Sequence, residues 1–488
     1  MFNRLYRGFK QSMDLRLWSV SATIFLVLCG VLLSNPSLPL ATALAAAEPT
    51  ETISVVGARA AGAKTHGGAA PFGKIFRVTT LADRGRGSLR HAIDRSGPRV
   101  IVFDVGGIIQ LNSDLNVLNP YLTIAGQSAP DPGITLSGGT LRIRTSNVVV
   151  QHIAVRPGPS DNPKISVKRD AIAVSECSKC RIKPTAILID NVSVSWSSDE
   201  LIGTNGSELR HITVRNSILS EALAHAGHPK GSHTAGILIG QGVRGVEIVG
   251  NLFSSNGFRN PAVNAGAAAV IINNFIYNPH NRAAHINAGP RSKRKTFATV
   301  IGNVLVPGPN TRNDVPLLGL ARNIARRTPN ASIYAAHNQT YMENGEVVRN
   351  ISRLELKSRP PLVAANWKTL PTDQVRVRAL HYAGSRPARR NAIDQRIIDD
   401  VKSNRGRIID LPAEVGGLTK IAKTEGVART PRFPFSPSGI KGLLRIEAWL
   451  CLEHLSVGGP NNAQCPYNQE QYSTALSKSS FSPDRQRN

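Results

Sequence analysis

The stretch "GVEIVGNLFSSNGFRNPAVNAGAAAVIINNFIY", Gly245 to Tyr277, holds one pattern twice. In "GVEIVGNLF" and again in "AVIINNFIY", an apolar run meets an asparagine, Asn251 or Asn274, and a second short apolar run follows. The runs lack helical periodicity and read as brief strands. The pattern recurs in "AILIDNVSV", "RHITVRNSIL", "ATVIGNVLV" and "SIYAAHNQTY", around Asn191, Asn216, Asn303 and Asn338. Asn251 and Asn274 lie 23 residues apart and Asn216 and Asn251 lie 35 apart, a spacing that signals stacked repeats. One such coil cannot bury its own apolar face, whereas stacked coils bury it against each other. An asparagine repeated at one bend tolerates unusual backbone and can pass amide hydrogen bonds from coil to coil. The expected fold is all-β, a right-handed parallel β-helix with a partly helical C-terminal tail. A propeller or sandwich needs hairpin turns, and Asn-Gly or Asp-Gly turns are scarce here.

The flanks differ from this centre. Residues 1–47 combine Arg4, Arg7, Lys10 and Arg16 with an uncharged run from Trp18 to Leu33 and then small residues, the layout of a signal peptide cleaved around Ala43 to Ala47. An uncleaved anchor is the competing reading. Residues 48–345 form the expected β-helix domain. Residues 346–488 form a C-terminal extension packing on it, in which "AIDQRIIDDVKSNRGRIID" places Ile393, Ile397 and Val401 on one helical face. The final polar residues are expected to be disordered.

The 488 residues carry 59 Lys and Arg against 32 Asp and Glu, a net charge of +27. Such an excess points to a polyanionic partner. Behind a secretory signal that partner is an acidic polysaccharide or cell envelope rather than nucleic acid. The expected protein is secreted or periplasmic, free of the membrane once cleaved, and monomeric. In an oxidising compartment Cys177, Cys180, Cys451 and Cys465 read as two local disulfides, with zinc at "CSKC" as the alternative.

Several motifs invite chemistry. "GQGVRG", Gly240 to Gly245, spells a dinucleotide fingerprint but leads into another strand, so it is set aside. His225, His228 and His233 cluster in a segment whose glycines and proline indicate a loop, and a metal site is not expected there. Asp170, Asp190, Asp199 and Glu200 are the other candidates. Residues one coil apart in sequence are about 5 Å apart in a stack, so Asp170 and Asp199 can converge, and gathered carboxylates suit Ca²⁺. Ordinary turn-capping carboxylates would look the same.

In "KIFRVTTLADRGRGSLRHAIDRSGPRVIVFDVGGIIQL", "LTIAGQSAPDPGITL", "QHIAVRPG", "DAIAV", "ILIDNVSVSWSSDE", "SILSEAL", "HPKGSHTAGILIG", "FRNPAV" and "YAGSRPARRNAIDQRIIDDVKSNRGRIID", the chain resembles pectate lyases of the parallel β-helix type, especially their bacterial branch. The likeness runs from about Val55 to Gly417. It implies a calcium-dependent polysaccharide lyase that cleaves polygalacturonate or a related acidic glycan by β-elimination. It further implies Asp170 and Asp199 as calcium ligands with Glu200 as a third, Lys230 and Asn264 as substrate-binding residues, and Arg259 as the base. Three positions depart from the family pattern: Gly203 stands where many relatives have a carboxylate, Asn264 where many have a second arginine, and Asn191 where a histidine is usual. The rival reading is a non-catalytic β-helix that binds acidic polysaccharide or envelope polyanions.

Overall fold

A computed structural model describes residues 65, 67–69, 73–177, 180, 182–321, 329–342, 346–348, 351–352, 354–362, 369–418, 450 and 453–460. The expected signal peptide, Cys451, Cys465 and the final polar segment lie outside the described residues. Cys177 and Cys180 form a disulfide.

Among the described residues short strands wind into three sheets of ten, eight and ten strands, each strand hydrogen-bonded to its counterparts in neighbouring coils. All strand pairings among the described residues are parallel except the last, Gln339–Tyr341 with Val347–Val348. The protein is a right-handed parallel β-helix. In-register stacking explains why apolar runs recur: Ile187, Ile212, Val246, Ala269, Ala298 and Ile333 form one inward column through successive coils. Leu141, Ile172, Ile202 and Ile237 form another. Each fully buried aliphatic side chain contributes about 1.5–3 kcal/mol. At the first coil, Leu89 and Ile93 of the helix Leu89–Ile93, capped by Ser88, join the same core.

The asparagine column proves to be two columns. Asn251, Asn274, Asn303 and Asn338 point inward and form a ladder, each Nδ2 donating to the next Oδ1 at 2.9 Å. The same Oδ1 atoms accept backbone N–H groups of the preceding coil at 3.0 Å. Asn191 and Asn216 stand one position earlier, in the left-handed region at φ 49° and 48°, together with Gly250, Asn273, Gly302 and His337. In their coils the ladder position itself falls to Val192 and Ser217, and Ser217 N–H donates to Asn251. The two roles assigned to one bend, tolerating left-handed backbone and carrying amide bonds, fall on adjacent residues.

Two helices, Thr372–Tyr382 and Ala392–Lys402, cover the outer face of the third sheet. Ile393, Ile397 and Val401 do lie on one buried face, packed with Trp196, Ile218, Leu252 and Phe275. Asn391 caps the second helix by accepting from the N–H groups of Ile393 and Asp394. Asp394 is fully buried; it pairs with Arg156 and accepts from Ser193 Oγ at 2.6 Å. Arg396 forks onto Glu221 at 2.6 and 2.8 Å, and Trp196 Nε1 donates to the same carboxylate.

Candidate active site

The site stands on the eight-stranded sheet. Asp170 precedes the strand Ile172–Ser175, and Asp199 and Glu200 open the next, Glu200–Asn205. Because these strands pair in register, Glu200 N–H donates to Asp170 Oδ1 at 3.1 Å and Asp199 N–H to Arg169 O at 3.3 Å. The carboxylates of Asp170, Asp199 and Glu200 present oxygens all within 4.8 Å of one another. Burial and the nearby Asp199 charge hold the Asp170 carboxyl well above the usual carboxylate range, opposed by Arg142 and Arg259. Gly203 has a local reason as well: a Cβ there would run into the Asp170 carboxylate. Hard oxygen donors gathered against their own repulsion suit Ca²⁺.

Arg259 lies on the loop after the strand Leu252–Ser254, in the left-handed region at φ 59°. Such a conformation persists in a non-glycine residue only where its surroundings hold it. Here Ile237 N–H binds the Arg259 carbonyl at 2.6 Å, and Gly236 leaves space that any side chain would close. Asn260, joined to Pro261 by a cis peptide, is tied to Asn256 on one side and Arg282 O on the other. The guanidinium is directed into the carboxylate cluster, ion-paired with Glu200 and 3.3 Å from His233 Nε2. Burial lowers its proton affinity, Asp199 and Asp170 raise it, and Arg282 lowers it.

Two residues assigned by resemblance make no hydrogen bond or ion pair with these carboxylates among the described residues. Lys230 is exposed in the loop that also carries His228, whose Nδ1 accepts from Lys230 N–H. Asn264 ends the strand Ala262–Asn264 and accepts from Asn287 at 3.0 Å; among the described residues no hydrogen bond or ion pair joins it to the carboxylates. Asp190 lies on another sheet: burial would raise its carboxyl, but Arg215 at 2.8 Å outweighs this and holds it below the usual range.

Other residues enter the site without having been expected. The histidine segment is a loop, as its composition indicates, yet His228 and His233 stack with ring centroids 3.9 Å apart and face Asp199 at 3.7 and 3.1 Å. Asp199, His228 and His233 therefore form a second group able to hold a metal. Spacing along the chain hides this group, because its carboxylate comes from another coil instead of from the histidine segment itself. His225 turns away to Asp410. Arg282, one coil beyond Arg259, shares with it the ring of Phe258, at 5.6 and 5.0 Å. It supplies a second cation near Arg259, although Asn264 does not.

No family model matches the chain. It is 36% identical over 278 residues to a protein of Aspergillus fumigatus named probable pectate lyase C, covering 56% of this chain and 60% of that one. To a protein of the same name from Aspergillus flavus it is 29% identical over 367 residues, covering 74% and 80%. The chain thus spans about 60% of the length of the first of these relatives. The resemblance to pectate lyases is borne out, and these relatives are fungal. A solved pectate lyase from Bacillus sp. N165 in complex with trigalacturonate aligns at TM-score 0.46 and 13% identity, over 66% of this chain and 95% of that one. The fold assignment rests on the sheet topology described above.

Proposed function

We propose, with kinship to pectate lyases as the premise, that this protein cleaves polygalacturonate or a related acidic polysaccharide by β-elimination. The observation that carries the reading is the convergence of Asp170, Asp199 and Arg259 from three separate coils into one cluster. Asp170 and Asp199, with Glu200 as a third donor, would hold Ca²⁺. When bound, the ion would neutralise the substrate carboxylate and favour the negative charge that develops as the neighbouring C5 proton leaves. Lys230, exposed and on a loop, would take a second part of that charge. Arg259 would accept the C5 proton, the bond to the C4 oxygen would break as a C4=C5 double bond forms, and the departing oxygen would take a proton from solvent. An arginine in water keeps its proton. Here burial and Arg282 lower its affinity while Asp199 and Asp170 raise it, and Arg259 is ion-paired with Glu200, a pair that must loosen before it can act.

The same pair favours a second reading, a non-catalytic protein that binds acidic polysaccharide through its other cations while Arg259 stays paired with Glu200. Polygalacturonate incubated with the full chain and Ca²⁺ separates the two. The lyase reading requires ultraviolet-absorbing unsaturated oligouronides, lost on chelation or in Arg259→Ala. Absence of product on every polyuronate tried, with salt-sensitive binding that survives Arg259→Ala, would establish the binder. The basic N-terminal segment supports export, which detection of the processed chain outside the cytoplasm would test. No helix among the described residues is long and apolar enough to cross a membrane.

A further inference from the structure

Two buried histidines that the chemistry above does not use join the coils to the C-terminal extension. His152 stands between the strands Val148–Gln151 and Ile153–Arg156, in the left-handed region at φ 57°, and its N–H donates to Asn191 O one coil on. His454 follows 302 positions later in the chain. Their ring nitrogens form one row between two carbonyls. His152 Nδ1 is 2.7 Å from Ser385 O, His152 Nε2 is 2.7 Å from His454 Nδ1, and His454 Nε2 is 3.0 Å from Pro460 O. The stretch around His454 is held at two further points: Ala388 N–H donates to Val457 O at 3.0 Å, and Leu450 packs with Val100, Val102 and Ala125.

A carbonyl oxygen only accepts, so each end of the row calls for an N–H. The middle gap takes one more hydrogen, carried by either ring. Three hydrogens therefore satisfy the row, whereas two neutral rings supply two. A neutral pair sets one ring lone pair against a carbonyl, and one added proton removes that conflict. A second added proton would set N–H against N–H across 2.7 Å, so the joined pair carries one charge at most. Burial is the largest influence on both rings and pushes His152 down to about 3. Asp190 opposes it on both, while Arg386 adds to it on His152 and Arg215 on His454. These neighbours are themselves engaged, Asp190 with Arg215 and Arg386 with Asp131, and Glu453 also acts on Arg386.

We infer that residues 453–460 are an acid-released latch on the coils, with the His152 and His454 pair as its trigger. Once apart in water, each ring titrates near its ordinary value of about 6.5. Well below that pH the released rings carry two added protons and the joined pair at most one. Release is therefore favoured as pH falls through this range, and neutral pH keeps the latch closed. The inference stands whether or not the protein proves to be a lyase.

Hydrogen exchange of the full chain tests it, read by mass spectrometry from pH 7.5 to 4 and corrected for the intrinsic pH dependence of amide exchange. Protection of peptides spanning residues 453–460 should fall by about thirtyfold by pH 5, the effect of one proton over about 1.5 pH units. Peptides spanning the strand Arg244–Val249 should keep their protection over the same range. His152→Gln combined with His454→Gln removes both titrating rings and should flatten the response. A response that survives the double substitution overturns the histidines as the trigger. If the double variant has already lost protection at pH 7.5, the wild-type profile decides alone. Equal or rising protection down to pH 5, or a fall centred below about pH 4.5, where carboxylates titrate, overturns the latch. A fall shared by Arg244–Val249 is general unfolding and overturns local release.

Discussion

Arg259 and Glu200 form an ion pair inside the carboxylate cluster, joining the proposed base to a proposed metal donor. Glu200 cannot serve Arg259 and a metal fully at once. Glu200→Gln should therefore weaken calcium binding by about tenfold, the loss of one charged donor. Excess Ca²⁺ should then recover much of the activity. Calorimetric titration checks the affinity, and an unchanged value would remove Glu200 from the donor set.

Asp170 sets the pH dependence. Its folded carboxyl titrates above its unfolded value, so the metal-free fold gains from the protonated form and loses that gain as pH rises through the shifted range. Calcium needs the carboxylate and replaces the lost proton. The rise in Tm on adding Ca²⁺ should consequently be larger at pH 8 than at pH 5, and Asp170→Asn should abolish the difference. An equal rise at both pH values counts against Asp170 as a ligand.

Adjacent asparagines should respond unequally. Asn274 gives and takes ladder bonds on both sides, so Asn274→Gly strands several buried polar groups and should cost about 3 kcal/mol or more. Asn273 sits at φ 54°, which glycine adopts without penalty, and its Oδ1 accepts from Leu370 N–H; Asn273→Gly should cost about 1 kcal/mol or less. Urea denaturation of the two variants measures the contrast.

Buried Asp394 neutralises buried Arg156. Asp394→Asn leaves that cation without its counter-charge and should destabilise by about 3–5 kcal/mol. Adding Arg156→Met should restore much of the loss, because an apolar pair has no charge to desolvate. A double variant as unstable as the single one would locate the cost in packing instead.

Stacking makes much of this molecule legible in its sequence. Once coils repeat, residues one coil apart are neighbours, and the meeting of Asp170 with Asp199 follows from that alone. Two kinds of feature are not legible in this way. A repeat of 23 to 35 residues locates a bend only to within a residue, so Asn216 and Asn251 look equivalent although one holds the backbone and the other holds the ladder. Loops that reach across the sheet follow no register, so the approach of His233 to Asp199 and of Arg282 to Phe258 leaves no mark in the spacing. The helix Thr372–Tyr382 is equally silent, because only Val375 and Ala379 are buried on it, too few to show a period.

The two C-terminal helices also constrain how the molecule can be made. Ile218, Leu252, Phe275 and Val304 face outward from the third sheet and are covered by a segment emerging some seventy to two hundred residues later in the chain. A growing chain can wind its coils in order as they appear, since each needs only its neighbour. Its third sheet nevertheless stays adhesive until the residues near Asp394 arrive, and Arg156 waits 238 positions for its partner. Synthesis interrupted before about residue 370 would leave a nearly complete solenoid with one sticky wall.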